Sequence, residues 1–136
     1  MSTVENFMTA FKENSIKITP QRLAIFNILE GNTSHPSAED IYIEIIKIYP
    51  TTSFATVYNT LEVLHKLKLL LELSIDKEKK HYDPNINQHH HLQCNNCKRI
   101  VDIFEEYDIK IPEKIRNNFE IDGYQISFYG KCKSCS

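Results

Sequence analysis

Three histidines, a Cys-x-x-Cys pair and an aspartate fall within the fourteen residues from His89 to Asp102, HHHLQCNNCKRIVD. Cys94 and Cys97 offer soft thiolates that suit zinc. His89, His91 and Asp102 offer imidazole and carboxylate ligands that suit zinc, iron or manganese. A second pair, Cys132 and Cys135, follows after 34 residues and accounts for all four cysteines of the chain. Two Cys-x-x-Cys pairs point to one closed, tetrahedral zinc site with four thiolate ligands. Two disulfides, or a redox dithiol, are the competing reading. The opening stretch MSTVENFMTA has neither the basic nor the apolar region of a secretory signal, and no apolar run is long enough to span a membrane. The expected location is therefore the cytoplasm, where thiols stay reduced and zinc is favoured over a disulfide.

The rest of the chain must position these ligands. Its 136 residues suit one domain or two small ones, and 41% hydrophobic residues suffice for packed cores. The net charge is −2, and basic residues do not outnumber acidic ones over residues 1–82. Any contact with nucleic acid must then come from a local patch rather than global attraction.

Val4, Phe7, Met8 and Phe11 share one face of a first predicted helix. Thr19 can cap a second, with Pro20 in its first position and Leu23, Phe26, Ile28 and Leu29 as its buried stripe, and Gly31 supplies the stop. Ser37 and Asp40 resemble a capping box for a third, whose core face is Ile41, Ile45 and Ile48 or Tyr49. Ser53 caps a fourth, Phe54 to Leu67, with Val57, Leu61 and Leu64 inward and Thr56, Tyr58, Asn59 and Thr60 on or near the outward surface. Two strands, 69–73 and 79–83, joined by SIDKEK, complete a winged helix. Its fourth helix and wing carry a local basic patch. Thr56, Tyr58 and Asn59 are the expected DNA-contacting residues of the helix, and Lys77, Lys79 and Lys80 those of the wing. A merely solvated face is the bland alternative for the lysines.

The polar break Pro84 to Gln88 reads as a hinge. Beyond it, strands at 91–93, 100–104 and 124–129 and a helix from Ile111 to Phe119 predict a small domain of mixed helix and sheet. Its core is slight, which is where a structural metal helps. The fold class is α+β: an N-terminal winged helix-turn-helix domain over 1–83, a hinge over 84–88, and a small C-terminal α+β domain over 89–136 that carries most of the metal-ligand candidates. Exposed strand edges in so small a sheet invite pairing with a second copy.

These motifs together resemble the ferric uptake regulator family: ITPQR, HPSAEDIY, SFATVYNTLEVL, HHHLQCNNCKRIVD and YGKCKSC stand in the family's order over nearly the whole chain. The pattern is most similar to its peroxide-sensing repressor branch. The resemblance implies a homodimer that binds a double-stranded DNA operator, with the C-terminal domain over 89–136 as its dimerisation domain, no membrane association and structural Zn(2+) on the four cysteines. It also implies a regulatory Fe(2+) or Mn(2+) site made of His35, Asp83, His89, His91 and Asp102. Both acids are aspartates where iron-responsive members commonly have glutamates, and Asn59 follows Tyr58 where those members often have arginine. His35 and His89 are, by the same resemblance, the oxidation-sensitive ligands. The chain departs from the family at Lys68, where many members have glycine. Gln88, Ile109 and Tyr124 stand where some members hold a further metal.

The residues give this resemblance a physical sense. His89 and His91 are two apart on an expected strand and so share a face, with His90 on the other. Ligands drawn from both halves would make metal binding a choice of domain orientation, and a dimer reads two half-sites only at the right spacing. Two rivals remain open: an iron-uptake or zinc-uptake regulator of the same family, and, more remotely, a non-haem metalloenzyme. An enzyme is not the expectation, since the chain has a DNA-binding half and no signature of a substrate pocket.

Overall fold

The computed structural model describes residues 2–136. The chain divides into two compact units, Met1–Ile86 and Asn87–Ser136.

The first unit contains helices α1 (Thr3–Glu13), α2 (Pro20–Leu29), α3 (Ala38–Ile48) and α4 (Phe54–Lys66), then strands β1 (Leu71–Leu73) and β2 (His81–Asp83). All four helices begin on a hydroxyl cap. The side chains of Ser2, Thr19, Ser37 and Ser53 each accept an amide three residues on, and Ser37 with Asp40 completes a capping box. Each such cap contributes roughly 1 kcal/mol. The core is continuous through Phe7, Phe11, Ile25, Phe26, Leu29, Ile41, Ile45, Val57, Leu61 and Leu64. Phe26 stands edge-on to both Phe7 and Phe11, with ring centroids 5.3 and 5.0 Å apart, a geometry that favours aromatic pairs. The strands form an antiparallel hairpin with Leu71 opposite Asp83 and Leu73 opposite His81.

Several local expectations need correction. Thr60 is fully buried, and its hydroxyl donates to the Thr56 carbonyl at 2.7 Å, so it is not a surface residue of α4. Ile25 rather than Leu23 or Ile28 fills the stripe of α2, and Ile48 is 60% exposed. Lys68 takes the left-handed conformation (φ 61) just past α4, and the Leu69 amide closes the helix end on the Leu64 carbonyl at 3.0 Å. That is a conformation that glycine adopts without a Cβ penalty and that costs a lysine free energy.

The second unit contains β3 (His90–Cys94), β4 (Ile100–Ile103), a one-turn helix α5 (Glu113–Arg116) and β5 (Ser127–Gly130), closed by a 3-10 turn at Lys133–Cys135. The sheet order is β4-β3-β5; β3 pairs antiparallel with β4 and parallel with β5. The helix expected over 111–119 is thus reduced to four residues. It has no side-chain cap, and Ile115 and Phe119 are 48% and 68% exposed. A short helix depends on burying its apolar face, and within this unit nothing covers that face.

Candidate metal centres

The strand pairing of the second unit brings its four cysteines together. The Asn95 amide donates to the Gly130 carbonyl at 2.7 Å, and Cys94 pairs with Gly130 in the β3-β5 register, so the turn after β3 sits beside the chain's last turn. The four sulfur atoms lie within 4.8 Å of one another, and Cys97 Sγ is 3.9 Å from Cys132 Sγ. Two thiolates about 2.3 Å from one tetrahedral zinc would stand about 3.8 Å apart, so the group fits that ion. All four are free thiols, which argues against the disulfide reading. The Cys132 amide donates to Cys94 Sγ at 3.4 Å, and this bond, with the Cys97 amide, pulls the Cys94 thiol down to about 5. Cys135 is pushed up to about 11: the Asn96 side chain lowers it, but the neighbouring Cys132 and burial outweigh that effect. A cation would replace the proton on such a thiol.

On the same sheet, His91 is paired with Asp102 across β3 and β4. Asp102 Oδ1 lies 3.2 Å from His89 Nε2 and 3.3 Å from His91 Nε2. The two rings are 4.5 Å apart and edge-on, and both are buried. His89 Nδ1 donates to the Asn87 carbonyl at 2.6 Å, which leaves Nε2 as the nitrogen with a lone pair. Two ligands cis on one octahedral ion would be separated by about 3 Å, close to what is seen. His90 faces the other way. It stacks on Tyr124 with centroids 5.0 Å apart, and its Nδ1 accepts the Ile126 amide at 3.0 Å. All three histidines are buried. Gln88 donates to the Tyr124 carbonyl at 3.2 Å, and with Ile109 these three positions offer an amide, an alkyl group and a phenol.

The first unit carries a second histidine-aspartate pair. His35 Nε2 and Asp83 Oδ2 are 3.5 Å apart, and both side chains are buried. His35 has φ 54, a conformation that costs a non-glycine residue free energy. Asp83 ends β2, beside the Pro36 carbonyl that accepts the Tyr82 amide at 2.9 Å.

On α4, Tyr58 and Asn59 are exposed, and the Tyr58 ring stacks on Phe54 at 6.4 Å. Thr56 is half-buried and its hydroxyl is engaged with Ser53 at 2.9 Å, within the helix cap. Lys77 and Lys79 are exposed on the wing. Lys80 is tied to Glu72 at 3.0 Å, and that bond holds its pKa above the usual lysine value. Two buried polar residues beside the wing escaped the spacing arguments, Asp76 and His81. Their one signal is that His81 and Asp83 alternate on a strand.

A sequence profile of the Ferric uptake regulator family matches residues 13–129. The chain belongs to the ferric uptake regulator family. Among curated relatives, the peroxide-responsive repressor PerR of Staphylococcus aureus strain Mu50 is 31% identical over 135 residues, covering 97% of this chain and 90% of that protein. The solved structure of PerR from Streptococcus pyogenes is 31% identical, with a TM-score of 0.59 over 100% of this chain and 95% of the other. The ferric uptake regulator of Helicobacter pylori has a TM-score of 0.77 at 24% identity, over 98% and 91% of the two chains, and shows the shared fold. The fold is accordingly that of this family: an N-terminal winged helix-turn-helix DNA-binding domain and a C-terminal dimerisation domain. Family members are metal-responsive transcription regulators that bind DNA and act as dimers. Among the described residues, no helix is long and apolar enough to cross a membrane.

Proposed function

We propose that this protein is a dimeric, metal-dependent repressor that senses peroxide by oxidation of a histidine ligand. The observation that carries this reading is the recurrence of one motif. Each unit holds a buried histidine-aspartate cluster with imidazole Nε2 atoms turned toward a carboxylate. Joint ligation of one ion by His35, Asp83, His89, His91 and Asp102 would couple the DNA-binding domain to the dimerisation domain. Three imidazoles and two carboxylates suit iron(II) or manganese(II). The four cysteines would hold structural zinc.

The residues divide the work. His89 Nδ1 keeps its proton on the Asn87 carbonyl, so Nε2 is the donor to metal. Asp102 serves both His89 and His91 through one oxygen. Iron(II) held by these ligands would reduce peroxide and supply an oxidant beside His35 and His89. A ring that gains one oxygen is a poorer ligand, and its loss would uncouple the domains. The cysteines, committed to zinc, would not act as the redox sensor. Similarity to peroxide-responsive relatives at about 30% identity, and the aspartates at 83 and 102, support this branch over an iron- or zinc-uptake regulator. Binding to DNA is expected only with manganese(II) or iron(II) present. A gel shift unchanged by stripping the regulatory metal, with zinc retained, would refute the reading.

Base edges would be read by Tyr58 and Asn59, and phosphates met by Lys77 and Lys79, with Lys80 weaker because it is paired with Glu72. Asn59→Ala is expected to relax sequence choice at one operator position by roughly 1–3 kcal/mol. Lys79→Ala is expected to weaken all DNA alike and to reduce the salt slope by about 1. Affinity measurements on matched and single-base-changed operators over a range of salt separate the two. Equal losses on every sequence for Asn59→Ala would remove it from base reading.

A further inference from the structure

His81 belongs to neither the metal ligands nor the DNA-contacting set, yet it is buried and both of its ring nitrogens are engaged. It lies on β2, 7% exposed, two residues before Asp83. Its Nδ1 donates to the backbone carbonyl of His35 at 2.7 Å. Its Nε2 lies 3.1 Å from Asp76 Oδ2. Asp76 is itself buried, and its other oxygen accepts the Glu78 amide at 2.9 Å, shaping the turn that presents Lys77 and Lys79. The backbone adds a bridge between Ser37 and His81. One ring thus spans from the wing turn to the main chain of His35.

The His35 end is the point where such a tie has most effect. His35 holds a left-handed backbone that persists only when its surroundings over-determine it, and it precedes Pro36, which narrows its choices further. A hydrogen bond on the carbonyl of that residue helps fix the direction of its side chain. At the other end, Asp76 accepts the Glu78 backbone amide at 2.9 Å, so movement of the wing turn is felt along a short path.

We propose that His81 is a positioning residue that couples the regulatory metal site to the wing. Metal engagement at His35 fixes the His35 carbonyl, His81 holds Asp76, and the wing turn is presented for phosphate. By thermodynamic reciprocity, DNA on the wing must tighten metal binding by the same factor. This inference rests on the proposal that His35 is a regulatory ligand.

The test is the coupling factor: manganese(II) affinity of the full-length, zinc-loaded dimer with and without operator DNA. His81→Phe keeps a planar ring and removes both bonds. Asp76→Ala cuts the wing end and leaves the His35 bond. His81→Arg supplies donors to both acceptors and is the rescuing variant. In His81→Phe and Asp76→Ala the coupling factor is expected to fall at least ~5-fold, the low end of ordinary allosteric coupling, and to recover in His81→Arg. A merely structural role would lower DNA affinity equally with and without manganese and leave the factor unchanged; that result overturns the inference. Should His81→Phe not fold, Asp76→Ala decides alone. If the wild-type protein itself shows no coupling between manganese and DNA, the regulatory reading fails and the role of His81 fails with it. If the wild type couples and both variants still couple, only the role of His81 is lost.

Discussion

Replacing Cys97 with serine is expected to cost the C-terminal domain its zinc and the protein its dimer. The four sulfurs already stand at the spacing of one tetrahedral ion, and they tie the buried strand β3 to the thinly covered end of the chain. Strand β5 alternates exposed and half-buried residues with none buried, and α5 has no buried residue. Structural zinc contributes folding free energy directly, on the order of 10 kcal/mol in small metal-dependent domains. Without it, the domain should lose cooperative unfolding, and the monomer should dominate in sedimentation. The N-terminal unit, with its own phenylalanine-rich core, should keep its helices. A Cys97→Ser protein that remains a zinc-loaded, stable dimer would refute the assignment.

The second large effect is expected at Asp102. Asp102→Asn preserves size but removes the charge that faces His89 and His91 at 3.2 and 3.3 Å. Changes to residues that merely support a ligand cost about 10–100-fold in metal affinity, so loss of a direct carboxylate ligand should cost at least ~100-fold. Zinc content and dimerisation should be unaffected, since the cysteine site shares no ligand with it. DNA binding should then no longer respond to manganese(II). Wild-type manganese titration in Asp102→Asn would contradict the ligand set.

The helices and their caps were legible in the sequence because each signal is local. Ser37 with Asp40 and Thr19 with Pro20 fix helix starts through bonds three residues long. The zinc group was legible for a different reason: thiolate chemistry leaves few uses for two Cys-x-x-Cys pairs. The histidine ligands were only half legible. His89 and His91 stand two apart at the start of β3, which opens at His90, but nothing local singles out His35 or Asp83; those came from family resemblance. Thr60 was misread because a hydroxyl that bonds back to Thr56 can be buried, and composition alone does not tell a back-bonded threonine from an exposed one. The Ile111–Phe119 helix was misread because its periodicity promised a buried face that this unit does not supply. His81 and Asp76 were hard to single out because their contacts come from the folded chain, and the His81 bond to the His35 carbonyl spans 46 residues of sequence.

The central claim, that peroxide is sensed at a histidine of an iron-loaded site, is tested most directly by one paired measurement. Operator binding by iron(II)-loaded and manganese(II)-loaded protein is followed before and after a brief peroxide pulse, and the same samples are digested for mass spectrometry. Manganese(II) is a poor reductant of peroxide, so that form should stay bound and unmodified. The iron form should leave the DNA and carry one added oxygen on the peptide containing His35 or His89, with all four cysteines intact. Iron-loaded protein that stays on DNA after peroxide with unmodified histidines would contradict the account and mark the chain as a regulator of iron uptake instead.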